Sequence, residues 1–145
     1  MANRNFNGVQ INQSVTIVEK AGAAITDARN RILAYNTSGD VILAASGAVI
    51  PVGVAIIEAG ANDISGETSG AVAVGDDIDI QIKDIGYVIA GAAITKGAEV
   101  MAADGLAVPA TAGNYVVGIA LSAAAKDDYC RVLITKYQKN PASAG

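Results

Sequence analysis

The hexapeptide AGAAIT occurs twice in this chain, at residues 21–26 and again at 90–95. Two further blocks recur in the same order: LAASGAVIP (43–51) with MAADGLAVP (101–109), and VGVAI (52–56) with VGIAL (117–121). Matched blocks in one order, separated by insertions of the kind that loops tolerate, predict an internal duplication. We expect the two copies to span about 17–70 and 84–135. Two copies are too few for a solenoid, so they predict one domain with pseudo-twofold internal symmetry.

Short runs of residues that favour β-strands recur along the chain, separated by Gly, Asn, Asp and Pro. They lie at 15–18, 31–35, 41–43, 52–57, 71–74, 78–82, 87–89, 99–101, 115–121 and 130–137. The clearest is DDIDIQIKD, in which Ile78, Ile80 and Ile82 alternate with polar residues as on a half-buried strand. The pattern predicts an all-β fold, a compact barrel or sandwich with at most short helices. The length of 145 residues suits a single domain, which we place at 15–137.

The residues that usually carry catalysis are missing or isolated. The sequence has no histidine, which removes the commonest general base, the His-based triads and most zinc sites. Its single cysteine, Cys130, lies in an alternating run and is expected to be a core thiol. The acidic residues Asp76, Asp77, Asp79 and Asp84 lie in a strand pattern and lack the spacing of a calcium loop. We therefore expect no catalytic, cofactor-binding or metal site, and no enzyme.

Charge and hydropathy limit the partners. The formal net charge is −4, without a clustered basic face, so no nucleic-acid binding is expected. The longest uncharged run, 105–125, contains Pro109 and several glycines typical of turns, so no membrane span is expected. The polar first residues do not resemble a signal peptide, and one cysteine suits a reducing compartment. We expect synthesis in a cytoplasm and association with other protein subunits.

Four glycines are expected to matter for structure. Gly53 and Gly118 occupy matching places in VGVAI and VGIAL, where a glycine lets a neighbouring backbone approach a buried strand. Gly97 and Gly105 lie between strand runs and are expected in turns that require positive φ.

The stretch from Gly86 to Ile134 resembles the capsid decoration (cement) proteins of tailed bacteriophages, a family long filed as uncharacterised phage structural proteins. GAAITKGAEV, AADGLAVPA and VGIALSAAAKDDYCRVLI follow that family's pattern, and the first repeat from Ala21 follows it more loosely. Ala98 and Glu99 depart from it, because the family more often has Asp directly after the glycine. The resemblance implies an all-β virion protein that binds the major capsid protein on the outer surface of the head. It also implies trimers that stabilise the expanded shell between capsomers, without a cofactor.

The two ends are expected to lie outside the core. Residues 1–14 are polar, and with the resemblance they predict an N-terminal arm that contacts the capsid through Arg4, Asn5, Phe6 and Asn7. A frayed terminus or a first strand of the domain are the alternatives for this segment. Residues 138–145 are expected to form a flexible tail.

Two other functions stay open from the sequence. The first is an appendage module of a phage particle that binds a glycan or the host surface. Such a site requires exposed aromatic residues, and the chain offers Phe6 and the tyrosines at 35, 87, 115, 129 and 137. The second is a cell-wall hydrolase that uses Asp76 and Asp79. Their spacing places them on opposite faces of a strand unless a bulge intervenes.

Overall fold

The computed structural model describes residues 14–141, and within that range the chain forms ten strands and no helix. The strands are β1 (Thr16–Lys20), β2 (Ile32–Tyr35), β3 (Val41–Leu43), β4 (Pro51–Ala55), β5 (Asp77–Gln81), β6 (Asp84–Ile89), β7 (Glu99–Ala103), β8 (Leu106–Pro109), β9 (Tyr115–Ala120) and β10 (Tyr129–Gln138). All strand pairs are antiparallel. The prediction of an all-β fold is confirmed.

The strands form two sheets with the same internal order. The first sheet has the order β1-β5-β4-β2-β3, and the second has the order β6-β10-β9-β7-β8. Bridges between Ala21 and Val41, and between Ala90 and Ala107, join the two edges of each sheet. Each sheet therefore curls into a partly closed barrel, because a bridge between edge strands brings the ends of the sheet together. We call 14–81 the first barrel and 84–141 the second barrel.

The strand registers define which residues of the two barrels are equivalent. Leu33 pairs with Gly53 as Val100 pairs with Gly118. In the same way, Ala55 pairs with Ile80 as Ala120 pairs with Val132. Ile17 opposes Ile80, and Gly86 opposes Val132. These matches extend the first copy through β5 to residue 81, beyond the boundary at 70 that the sequence indicated.

One of the three matched sequence blocks does not correspond in the structure. The equivalent bridges place Val41 at the position of Ala107. The block 101–109 therefore covers the β7–β8 hairpin, whereas most of 43–51 is the loop that leads from β3 to β4. The pairing of these two blocks was wrong. The likeness arises from small residues, which are common to tight turns and to loops that pack closely against a neighbour.

Two strand assignments from the sequence also change. The run 71–74 is not a strand: only Val72 bridges, to Ile25, and the flanking Gly70 and Gly75 have φ of 85° and 88°, which bends the chain away. Leu106–Pro109 is an unpredicted strand at the edge of its sheet, where a proline is tolerated because no ladder bond is lost.

The two barrels contribute unequally to the core between them. The interior of the first barrel has its own apolar core, which includes Leu33, Ile78 and Ile80. The core of the second barrel also contains four side chains of the first: Ile32, Ala34, Ala44 and Val54. Side chains at alternating positions point to opposite faces of a strand, so β2 serves both cores.

Backbone hydrogen bonds also join the two barrels. The Ile32 amide donates to the carbonyl of Gly105 at 2.8 Å, and the Ile89 amide donates to the carbonyl of Asn30 at 3.3 Å. The amides of Asn30 and of its equivalent Gly97 each donate within their own barrel, to the carbonyls of Ala55 and Ala120. The sequence repeat did not predict these bonds between the barrels.

The last strand passes the boundary expected for the β domain. β10 continues to Gln138, and the Lys139 amide donates to the carbonyl of Asn114 at 2.8 Å. The Lys139 ammonium group also lies 3.0 Å from the Glu99 carboxylate. The first two residues of the expected tail are thus bonded to the second barrel.

Candidate binding surfaces

The two strand glycines occupy equivalent places where neighbouring backbones are close. A Cβ at Gly53 would overlap the carbonyl oxygen of Gln81 and would lie 2.9 Å from Ile80 Cγ2. A Cβ at Gly118 would overlap the carbonyl oxygen of Leu133 and would lie 2.7 Å from Val132 Cγ1. Each glycine therefore lets β4 or β9 approach the strand beside it.

The two turn glycines differ in their surroundings. Gly97 has φ of +88° and nothing within 4 Å of a hypothetical Cβ, so only its backbone conformation favours glycine. Gly105 has φ of +78°, and its Cβ would also lie 2.8 Å from Leu43 Cδ2. Gly105 thus belongs to the contact between the barrels.

The cysteine and the two aspartates that the sequence offered as catalytic candidates do not form a common site. Cys130 is fully buried, and burial raises the pKa of its thiol. The Asp76 carboxylate accepts a bond from the Ala73 amide at 2.9 Å, while Asp79 lies on the exposed side of β5. Among residues 14–141, no group of three or more Cys, Asp or Glu could hold a metal ion. In the same range, no helix is long and apolar enough to cross a membrane.

One outer face of the second barrel is rich in exposed apolar and aromatic side chains. It consists of Ile85 and Tyr87 on β6 and of Tyr129, Arg131 and Leu133 on β10, and we call it the β6–β10 face. The strand pairing opposes Tyr87 to Arg131 and Ile85 to Leu133. Tyr87 is 53% exposed and Tyr129 is 55% exposed, so the rings are available to a partner.

The first barrel provides an internal comparison for this face. The registers match Ile85, Tyr87, Tyr129, Arg131 and Leu133 to Thr16, Val18, Asp77, Asp79 and Gln81. Four of those five residues are polar, and Asp77 forms an exposed ion pair with Lys20 at 2.7 Å. The fold therefore does not require apolar side chains at these positions. Sequence reasoning missed the face because it treated the alternation in YCRVLITKY only as a sign of a buried side.

The composition of the β6–β10 face resembles that of protein interfaces. Tyrosine and arginine are enriched among the residues that dominate binding, and contiguous apolar surface marks sites of association. Arg131 is the only charged side chain among the five. Its guanidinium group lies 3.5 Å from the carbonyl of Leu121.

A second surface feature is an apolar groove at one end of the first barrel. Its lining includes Ile17, Tyr35, Ile50, Val52, Ile82 and Lys136, and its volume is about 710 Å³. Ile50, at 64% exposure, is largely solvent-accessible. The Lys136 ammonium group donates to the carbonyl of Val52 at 2.9 Å, and burial lowers the pKa of this lysine. We call this feature the first-barrel groove.

The tyrosines do not gather into one concave site. Tyr35 lines the groove, Tyr87 and Tyr129 lie on the β6–β10 face, and Tyr137 donates to the Glu99 carboxylate. Burial and this bond raise the pKa of Tyr137 to about 12. The expected capsid contacts Arg4, Asn5, Phe6 and Asn7 lie outside the described residues.

The comparisons with known proteins give one informative neighbour. No protein-family model matches the chain, and no curated protein matches it. Among solved structures, the chain is similar to the crystal structure of the head fiber gp8.5 N base of bacteriophage phi29. The TM-score is 0.62 at 25% sequence identity, and the match covers 85% of this chain and 95% of that chain.

This neighbour supports the broader part of the sequence-based expectation, a structural protein of a phage head. It does not distinguish a cement protein from other head proteins.

Proposed function

We propose that this chain is a structural, non-catalytic protein that decorates the outer surface of a phage head. It binds the major capsid protein between capsomers and stabilises the expanded shell. The observation that carries the proposal is the match over most of the chain to a protein named as the base of a head fiber. The repeated small-residue pattern from Gly86 to Ile134 agrees with the decoration family.

The proposal assigns self-association to the β6–β10 face. Permanent interfaces between identical subunits are more apolar than transient ones, and this face has a single charge. The equivalent surface of the first barrel is largely polar, so the two barrels have different roles in the assembly. We propose a homotrimer, as the decoration family implies.

The proposal assigns head binding to the N-terminal arm, with Arg4, Asn5, Phe6 and Asn7 as the contact residues. A polar segment that orders on binding can reach across a neighbouring capsomer, at a cost in conformational entropy. The described chain starts at Ser14, whose hydroxyl accepts a bond from Gln81 at 3.1 Å. Ser14, the first described residue, is therefore held beside the end of β5.

Co-sedimentation with empty, expanded heads that lack the protein tests this function. We expect the full chain to sediment with heads, and a chain without residues 2–12 to fold and associate normally but to lose most of its head binding. Purified host cell wall serves as the second bait, because a glycan-binding module would sediment with it instead. A full chain that ignores heads, or that prefers cell wall, would contradict the proposal.

A further inference from the structure

The end of the first barrel that carries the groove is its open end. It is more exposed than the equivalent end of the second barrel. The groove residues Tyr35, Val52 and Ile82 are all partly or largely exposed. Their equivalents Ala102, Val117 and Ile134 are only 2%, 0% and 6% exposed. These equivalents belong to the same core cluster as Ala44 and Val54 of the first barrel. Among residues 14–141, side chains of the first barrel thus help to bury this end of the second barrel, whereas the matching end of the first barrel stays partly exposed.

The described chain begins at the edge of this open end. The Ile82 amide donates to the carbonyl of Val15 at 3.2 Å, and Ile17 lines the groove two residues later. Residues 1–13 precede this point, and an extended chain covers up to about 3.3–3.6 Å per residue. Ile11 lies three positions before Ser14, and so it can reach anywhere within about 10 Å of it.

The sequence just before Ser14 is suited to an apolar groove. In NGVQINQ, Val9 and Ile11 alternate with polar residues, so both side chains fall on one face if the segment is extended. The segment has no charge, and the only charged group among the groove residues is the Lys136 ammonium, which already bonds to Val52. No charge would thus be buried without a partner.

We propose that Val9 and Ile11 of the same chain occupy the first-barrel groove. There they pack against the exposed apolar groove residues, much as side chains of the first barrel share the core of the second. The docked segment then fixes the point from which Arg4 to Asn7 extend. That last use rests on the proposed function, whereas the docking itself does not require a phage head.

Disulfide trapping in the isolated protein tests the docking. The double variant Ile11→Cys/Ile50→Cys places one thiol in the segment and one at the groove, while the natural Cys130 is fully buried. The matched control is Ile11→Cys/Ile64→Cys. Ile64 is fully exposed in the segment between β4 and β5, at the opposite end of the barrel. We expect an intramolecular disulfide at least about 10-fold faster in the groove pair, because docking raises the effective concentration of the thiols.

Two results would overturn the proposal. Equal rates for the two pairs would mean that residue 11 has no preference for the groove. Disulfide-linked dimers in place of monomers would mean that the groove takes the segment of another copy.

A second measurement avoids disulfide geometry. The chain has no tryptophan, so Ile11→Trp introduces a single probe. Its emission is expected to be blue-shifted relative to Asn12→Trp and to shift to the red when Ile50→Asp is added. An emission maximum at the solvent-exposed value in both single variants would overturn the docking. Head binding is measured separately, so failure of the docking and failure of the proposed function are distinguishable.

Discussion

The side-chain amide of Asn30 donates a hydrogen bond to the backbone carbonyl of Tyr87 at 3.0 Å and so joins the two barrels. Asn30 is only 5% exposed, and its φ of 58° lies in the left-handed region. Its equivalent in the second barrel, Gly97, has the same left-handed backbone without the side chain. The duplicated position thus keeps one backbone conformation but joins the barrels only where it is asparagine.

Replacing Asn30 separates the effect of its side-chain bond from the effect of its left-handed backbone. Asn30→Gly keeps the left-handed conformation and loses the bond to Tyr87, at an expected cost of about 1 kcal/mol. Asn30→Ala loses the same bond and adds a left-handed penalty of about 1–2 kcal/mol. Denaturant unfolding measures both variants, and alanine should be the less stable. Equal stability of the two variants would show that the backbone conformation at residue 30 is not strained for alanine.

The two strand glycines, Gly53 and Gly118, should be equally sensitive to substitution. Gly53→Val and Gly118→Val should each reduce the free energy of unfolding by about 1–3 kcal/mol through overpacking. The reason is the same at both sites, since a Cβ would meet the backbone carbonyl of Gln81 or Leu133. The midpoints of denaturant unfolding measure the effect. A variant that is tolerated in one barrel but not in the other would contradict the equivalence of the two positions.

The positions of most strands were predictable because local pattern and burial agree. Ile78 and Ile80 alternate with polar residues and are fully buried, as expected for a strand that faces the core on one side. The correspondence of Gly53 and Gly118 was also visible in the sequence, since both glycines are flanked by the same residue types. The all-β fold follows from such runs.

The contact between the barrels was not predictable from the same patterns. Ile32 and Ala34 look like ordinary strand residues, and only the structure shows that they belong to the core of the second barrel. The β6–β10 face was hidden for a related reason. Periodicity alone does not single out Tyr129 and Leu133, and their significance emerges when they are compared with the polar equivalents Asp77 and Gln81.

Asp63 should titrate well below an ordinary aspartate. Its carboxylate accepts bonds from the hydroxyl and amide of Ser65 and from both groups of Thr68, which lowers its pKa from 3.8 to about 2. A depressed pKa in the folded state means that these bonds persist above pH about 4 and are lost as the pH falls toward 2. NMR titration should show a midpoint near the lower value. In Ser65→Ala the midpoint should move up toward 3.8, and an unchanged midpoint would argue against the bond to Ser65 as the main cause.

Cys130 should resist thiol reagents in the folded protein. The side chain is fully buried and its pKa is raised, so little thiolate forms and the reagent has no access. Labelling at pH 8 should be at least about 100-fold slower than in the unfolded chain, because it requires local or global opening. A surface variant such as Ile64→Cys provides the fast reference. Rapid labelling of Cys130 would mean that β10 opens readily.

The β6–β10 face should control self-association. Tyr87→Asp introduces a charge at a half-exposed aromatic position, and Val18→Asp does the same at the equivalent position of the first barrel. If the face forms the trimer, Tyr87→Asp should weaken association by about 2 kcal/mol or more, which is about 30-fold. Val18→Asp should leave it unchanged.

Sedimentation velocity over a range of concentrations measures this effect, and repeating it in the presence of heads includes trimers that form only on the shell. The two variants carry the same added charge on equivalent strands, so a general effect of charge or of sheet stability would appear in both. Loss of association in Val18→Asp alone would move the interface to the first barrel. Loss of head binding by Tyr87→Asp at an unchanged oligomeric state would instead make the β6–β10 face the surface that contacts the capsid.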